Sequence, residues 1–354
     1  MYVHPTLAAT LLAGTTLWIG APAAFACNEA GHDWMGQLAA KHGTAWAQIP
    51  LSKVLLPGSH DAGSSGKPTG SAKAALGLLV KNTTSWAQTQ THSVLGQLCR
   101  GSRWFDLRFK HHKGIWKIFH NFYLFARGEE VLGQVAKFAR DPAHKHEVIF
   151  LRLKLSGAPE ATAAFLTRWR KVLGKSIVRR VEGKLLGQMT MSDFGATGQA
   201  SGARIVLMPY DKELEVPEAL NGYVFPYPEH QAGTFSNKIP LKAVTTGQQA
   251  SLAAFKQGGG AKVFGLWWTS TGGAKALNVK RNTMAMWPVA KPSPSSPLEA
   301  FIKANQCEVG SFLLVDFYGN NEVTRTQSNL ILELAQSATE AALAGKPWGL
   351  CGTK

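Results

Sequence analysis

Short apolar runs that break off at a charged or imidazole side chain constrain this chain more than any other feature. Lys53-Val-Leu-Leu-Pro-Gly-Ser-His60-Asp61-Ala-Gly63 carries an apolar stretch from Val54 to Leu56, then sets a histidine beside a carboxylate at its C-terminal end. Ser311-Phe-Leu-Leu-Val-Asp316-Phe-Tyr-Gly319 repeats the pattern near the other end of the chain. A strand covered on both faces reads as such a run, whereas a strand with one wet face alternates. Strands of this kind belong to parallel sheets sheathed by helices, and in barrels their C-terminal ends carry the catalytic groups. For the first stretch alone a plain turn remains open, with Asp61 bonding its own backbone and His60 in solvent.

Trp104-Phe-Asp106-Leu-Arg108 adds a second kind of strand. Alternation puts Trp104, Asp106 and Arg108 on one face and Phe105, Leu107 and Phe109 on the other. Either face of a barrel strand is hostile to a lone charge, so Asp106 and Arg108 must pair with each other or with a site. After a basic turn, Ile115 to Phe119 reads as a returning strand, which places His120 at a strand end. His111 and His112, in the turn among lysines, compete with it for any role given to a second histidine. Further strands are expected at 147–154, 203–208 and 262–270, and helices at 88–99, 129–138, 159–173, 298–305 and 324–343. A helical lead-in spans 27–50, a Gly/Ser/Pro loop spans 63–71 with a helix at 72–80 after it, and 291–297 is an insertion loop. Strands alternating with helices indicate parallel βαβ units. The 354 residues fit one α/β domain, a TIM-type (βα) barrel, distorted or incompletely closed.

Residues 1–26 read as a secretory signal peptide, with an apolar core from Leu7 to Ile19 and an A-x-A-like site before Cys27, leaving 27–354 as the single domain. No Lys or Arg stands near its start. A short membrane anchor and lipoprotein processing at Cys27 are the alternatives. A secreted or periplasmic location follows, and four cysteines, 27, 99, 307 and 351, suit its oxidising chemistry. They allow three pairings. Cys27 with Cys99 would tie the mature N-terminus to the segment before the second strand, and Cys307 with Cys351 would staple the C-terminal tail. The formal charge of +16 points to an anionic partner. For a secreted protein a phospholipid membrane surface is more natural than nucleic acid.

Five pieces in order resemble the bacterial phosphatidylinositol-specific phospholipases C and the catalytic X region they share with the eukaryotic enzymes. They are Leu56-Pro-Gly-Ser-His60-Asp61-Ala-Gly63, Gln97-Leu-Cys-Arg-Gly-Ser-Arg-Trp-Phe-Asp106-Leu-Arg108, Phe119-His120-Asn121, Glu147-Val-Ile-Phe-Leu-Arg-Leu-Lys154 and Leu313-Leu-Val-Asp316-Phe317. The resemblance implies a phosphodiesterase acting on the phosphatidylinositol headgroup, and a monomer is expected. In it His60 is general base, His120 general acid, Asp316 the partner of His60, and Asp61 the support of the acid side. Arg108 takes the place of the acidic calcium ligand of the metal-dependent relatives, so no metal or other cofactor is implied, and Asp106 orients the arginine. Lys154 matches a lysine that contacts inositol. Two departures stand out: His120-Asn121 replaces the usual His-Gly, and Pro209-Tyr210 replaces an arginine expected after Ile205-Val-Leu. Tyr227, Trp267 and Trp268 are either headgroup-facing aromatics or core. A phosphodiesterase for another lipid or a glycerophosphodiester, and a non-catalytic membrane-binding protein on the same scaffold, are the competing functions.

Overall fold

A computed structural model of the chain describes residues 27, 31–71, 87–198, 200–210, 216–233, 241–257, 261–269, 298, 300–301, 311–315 and 321–345. The expectations for 1–26, the helix at 72–80, the loop at 291–297, Asp316, Cys307 and Cys351 lie outside the described residues.

Among the described residues ten strands form one sheet: β1 (Leu55–Ser59), β2 (Gly70–Ser71), β3 (Trp104–His112), β4 (Ile115–His120), β5 (Tyr123–Arg127), β6 (Val148–Ser156), β7 (Arg204–Pro209), β8 (Gln231–Ala232), β9 (Val263–Trp268) and β10 (Ser311–Val315). Seven of them run parallel in the order β8-β9-β10-β1-β3-β6-β7, so the first and last strands are neighbours and the others follow chain order. Val224 bridges Leu207 beyond β7 in the same sense. Among the described residues no pairing joins that end to β8. The architecture is therefore a (βα) barrel left open at one seam. β4, β5 and β2 extend from β3 as an antiparallel flap.

Both faces of the parallel strands are covered, which is why their sequences are apolar throughout. Leu56, Trp104, Phe150, Val206 and Phe312 point inward, where the Trp104 ring stacks on Phe312 at 3.8 Å and on Phe150 at 5.2 Å. Leu55, Leu266 and Leu313 point outward and meet Ile331, Leu334 and Ala335 of the helix Asn321–Leu343. Burying each large side chain is worth about 1.5–3 kcal/mol. Gly265 of β9 is dictated by the inner layer, since a Cβ there would sit 2.2 Å from the Phe312 ring.

Below the strands Arg103 is wholly buried. It pairs with Glu147 at 2.6 Å and donates to the carbonyls of Leu98 (2.8 Å), Ser102 (2.9 Å) and His32 (2.6 Å). Burial pushes the Glu147 carboxyl up, against the pull of Arg103. Cys27 and Cys99 form the anticipated disulfide. The helical lead-in resolves into Trp34–His42 and Thr44–Gln48, and the helices at 129–138 and 159–173 are seen as Gly128–Ala139 and Pro159–Leu173. The helix expected over 88–99 shortens to Val94–Cys99. It starts at a Ser93 cap accepting from Gly96 N–H, because Gln90 is already committed to a bridge with Ser65. β5, β8 and the helix Leu241–Gln257 are additions to the sequence reading. No helix among the described residues is long and apolar enough to cross a membrane.

Candidate active site

β1 ends at Ser59, and the next two residues turn over the barrel mouth. His60 N–H donates to the Val315 carbonyl at 3.0 Å, locking the turn to the end of β10. Gln90 Nε2 donates to the carbonyls of His60 (2.8 Å) and Val315 (3.2 Å), across the same seam. Asp61 adopts φ of 43°, in the left-handed region that aspartate tolerates better than most residues. Its carbonyl accepts from Thr89 Oγ1 at 3.0 Å and Ser64 N–H at 2.8 Å. Both side chains are buried.

β3 supplies Asp106 and Arg108 from its inward face, as the alternation requires, and the parallel register sets Arg152 and Lys154 of β6 opposite them. The Arg108 guanidinium contacts three acceptors. Its Nη2 donates to Asp106 Oδ2 at 2.8 Å and lies 3.1 Å from His60 Nε2, and its Nε lies 2.6 Å from Asp61 Oδ1. Since guanidinium only donates, His60 Nε2 accepts, and its ring proton sits on Nδ1. Arg108 Nε is aimed at Asp106 Oδ2, 3.2 Å away, so its approach to Asp61 is an ionic contact without a directed hydrogen bond.

His120, at the end of β4, donates from Nδ1 to the Ala87 carbonyl at 2.9 Å, which turns Nε2 toward Asp61 Oδ2, 3.4 Å away. His60 Nε2 is also 3.4 Å from that oxygen. Asp61 therefore stands between two imidazoles, with its carboxylate within reach of both. The next residue, Asn121, has φ of 56°. That is the conformation a glycine supplies at such a turn, and asparagine is among the few side chains that accept it.

Asp106 is the most strongly held group in the site. Burial alone would raise its pKa, but Arg108 and Arg152 together keep it well below the usual carboxylate range. Arg152 donates from Nη1 to Asp106 Oδ1 and lies against the rings of Tyr210 (4.4 Å), Tyr227 (4.6 Å) and Trp267 (5.1 Å). Burial pushes the Tyr227 phenol up. Lys154 Nζ lies 5.7 Å from the Tyr210 ring, so the residue standing where an arginine was expected faces the lysine expected to touch the headgroup.

His60, Asp61, Asp106, Arg108 and His120 thus converge, with Lys154 beside them. His111 does not join them, since it packs on Trp116 at 5.2 Å. Trp267 joins the cluster edge-on to His60 at 5.9 Å, whereas Trp268 packs outward on Phe301 at 5.2 Å. The sequence reading missed Arg152 as a site residue, although its place on the Lys154 face was visible. Gln90 and Thr89 carried no signal at all, because the sequence places them in the helix expected over 88–99, which begins only at Val94. His60, Asp61 and Asp106 present ligand atoms within 4.8 Å of one another, a donor set that a divalent cation could use. Arg108 touches all three, so a cation could enter only by displacing it.

No family model matches the chain. A PI-PLC X-box domain-containing protein of Dictyostelium discoideum is 40% identical over 77 residues, which span 21% of this chain and 10% of that protein. Phosphatidylinositol-specific phospholipase C from Listeria monocytogenes superimposes with a TM-score of 0.57 at 18% identity, covering 86% of this chain and 98% of that one. The Staphylococcus aureus enzyme gives a TM-score of 0.55 at 17% identity, over 85% and 97%. The open (βα) barrel of this chain is therefore the fold of the bacterial phosphatidylinositol-specific phospholipases C.

Proposed function

We propose that the chain is a secreted phosphodiesterase that cleaves phosphatidylinositol to diacylglycerol and inositol 1,2-cyclic phosphate without a metal. The observation that carries this reading is one guanidinium held at once by His60, Asp61 and Asp106, with a second imidazole across Asp61. A phosphodiester with a neighbouring hydroxyl needs that arrangement. A base takes the hydroxyl proton, the freed oxygen forms a new bond to phosphorus, and the bond from phosphorus to the diacylglycerol oxygen breaks as an acid protonates it.

His60 Nε2 is the base and receives the proton once Arg108 turns from it to the phosphate. The residue following Val315 is Asp316, and its role is to hold the Nδ1–H of His60, as the carboxylate does in a catalytic triad. His120 gives the proton from Nε2 to the leaving oxygen, its other nitrogen being fixed on the Ala87 carbonyl. Arg108 offsets the charge that builds on the phosphate oxygens, and its fork supplies two parallel donors. Lys154 and Tyr210 form the wall for the inositol hydroxyls. The mature protein begins at Cys27, after a leader of 26 residues.

The test is phosphorus NMR of the water-soluble product from phosphatidylinositol vesicles. A five-membered cyclic phosphate should form first, and His60→Ala should abolish it while leaving the fold intact. A well-folded His60→Ala protein of full activity would end the assignment. Release of a glycerophosphodiester or a different headgroup would replace the substrate.

A further inference from the structure

Past the catalytic layer, β3 and β4 continue as a hairpin whose two faces differ sharply. On one face Trp116 stacks on Phe165 of the helix Pro159–Leu173 at 4.7 Å and contacts His111, which anchors that face to the barrel wall. The other face continues the inward row of β3, where Lys110 and His112 follow Asp106 and Arg108 at intervals of two. Lys110 stands about 7 Å beyond Arg108 along the strand at the usual rise per residue. The register pairs Lys110 with Lys117 and Lys117 with Arg127, a row of three cations directly abreast. Like charges so placed destabilise a sheet. Among the described residues none of the three has an ion-pair partner, and the nearby Glu129 pairs with Arg168 at 3.6 Å instead. The hairpin tip adds exposed Lys113 and Ile115, which at 39% is the one large apolar side chain so exposed among the described residues.

We propose that this hairpin face docks on an anionic phospholipid bilayer, with Lys110, Lys113, Lys117 and Arg127 against lipid phosphates and Ile115 in the interface. An abreast cation row is relieved only by a dense array of anions, which a charged bilayer presents as a plane. A single apolar side chain among cations suits such an interface, whereas a protein partner would need an apolar centre of several residues. Nucleic acid would satisfy the cations and leave Ile115 without a use. The inference rests on the proposed function only in supposing that the cleft below the hairpin takes its substrate from that bilayer.

Sedimentation with phosphatidylcholine vesicles containing phosphatidylglycerol and no phosphatidylinositol tests the surface apart from catalysis. Changing Lys110, Lys117 and Arg127 together to Gln should weaken binding on the order of a hundredfold at low salt, from the usual contribution of each cation near an anionic surface. Ile115→Ser should weaken it further by an amount that added salt does not alter. Exposed Lys53, Lys145 and Lys175 sit ahead of β1, β6 and β7, at the far end of the barrel. Changing these three to Gln alters the net charge equally and should leave binding as in the wild type. Thermal unfolding of each variant reports on folding. Equal losses in the two triple variants, unchanged binding in the hairpin variant, or a wild type that ignores these vesicles would each overturn the proposal. A wild type that binds them yet leaves phosphatidylinositol intact would sink the proposed activity and leave the docking surface standing.

Discussion

Replacing Arg152 by methionine probes the support beneath the site more directly than any change in the cleft. Asp106 has no exposure, and its two oxygens are divided between Arg152 on one side and Arg108 on the other. Methionine fills much of the arginine stem and leaves Tyr210, Tyr227 and Trp267 packed, so the main loss is charge. Removing one partner of a buried ion pair costs about 3–5 kcal/mol, because the survivor stays desolvated. Asp106 titrates at 3.8 in an exposed setting and far lower in the folded protein, so its contribution is present above pH about 4 and fades as the pH falls toward the folded value. Without Arg152 the folded value rises, and acid unfolding should begin at a higher pH. Urea denaturation at neutral pH should register the loss of about 3–5 kcal/mol. Arg152→Met combined with Asp106→Asn should be more stable than the sum of the single losses, by at least about 1 kcal/mol for groups in direct contact. A single-variant loss under about 1 kcal/mol, or strict additivity, would refute the view that a coupled buried pair underpins Arg108.

Excess EDTA should leave activity unchanged, and Arg108→Lys should lower turnover on the order of a hundredfold or more, since an ammonium cannot span His60, Asp61 and Asp106 as the fork does. Abolition by EDTA with recovery in calcium would instead make His60, Asp61 and Asp106 a metal site. Cys99→Ser opens the bond to Cys27 across a separation of 72 residues. It should cost about 4 kcal/mol by loop-closure entropy, seen as a lower unfolding temperature.

The face assignment of β3 was legible because alternation is a strict geometric rule, and Trp104, Asp106 and Arg108 all point inward as it demands. A (βα) barrel sets its first and last strands side by side, and here they share five paired residues from Leu55 with Ser311 to Ser59 with Val315. The three rings around Arg152 come from β9 and from residues near the ends of β7 and before β8, so no local pattern could show that they meet on one arginine. Gln90 was illegible for the same reason: its amide bridges two carbonyls that are 255 residues apart in sequence, His60 and Val315. β5 was passed over because Tyr123–Arg127 shows no polar–apolar alternation, and its pairing with β4 and β2 is what makes it a strand.

The two carboxylates of the site differ in a way that assigns them different work. Asp106 is saturated by directed donors from Arg108 and Arg152, and a group so held neither accepts a proton at ordinary pH nor turns toward a ligand. Asp61 is equally buried, but neither of its oxygens receives a directed hydrogen bond, and both imidazoles and Arg108 lie within 3.4 Å of them. Small rotations let it follow His120, His60 or Arg108 as charge moves among them, whereas Asp106 fixes where Arg108 starts. Asp61→Asn should therefore cut turnover by two to three orders of magnitude, on the order of losing a transition-state group, with little change in KM. It should leave urea stability close to the wild type, since the amide fits the same space and removes a desolvated charge. Asp106→Asn should do the reverse in part, lowering stability and raising KM as Arg108 loses its anchor. Equal kinetic and stability effects for the two variants would remove the distinction and leave Asp61 a structural partner of Arg108 alone.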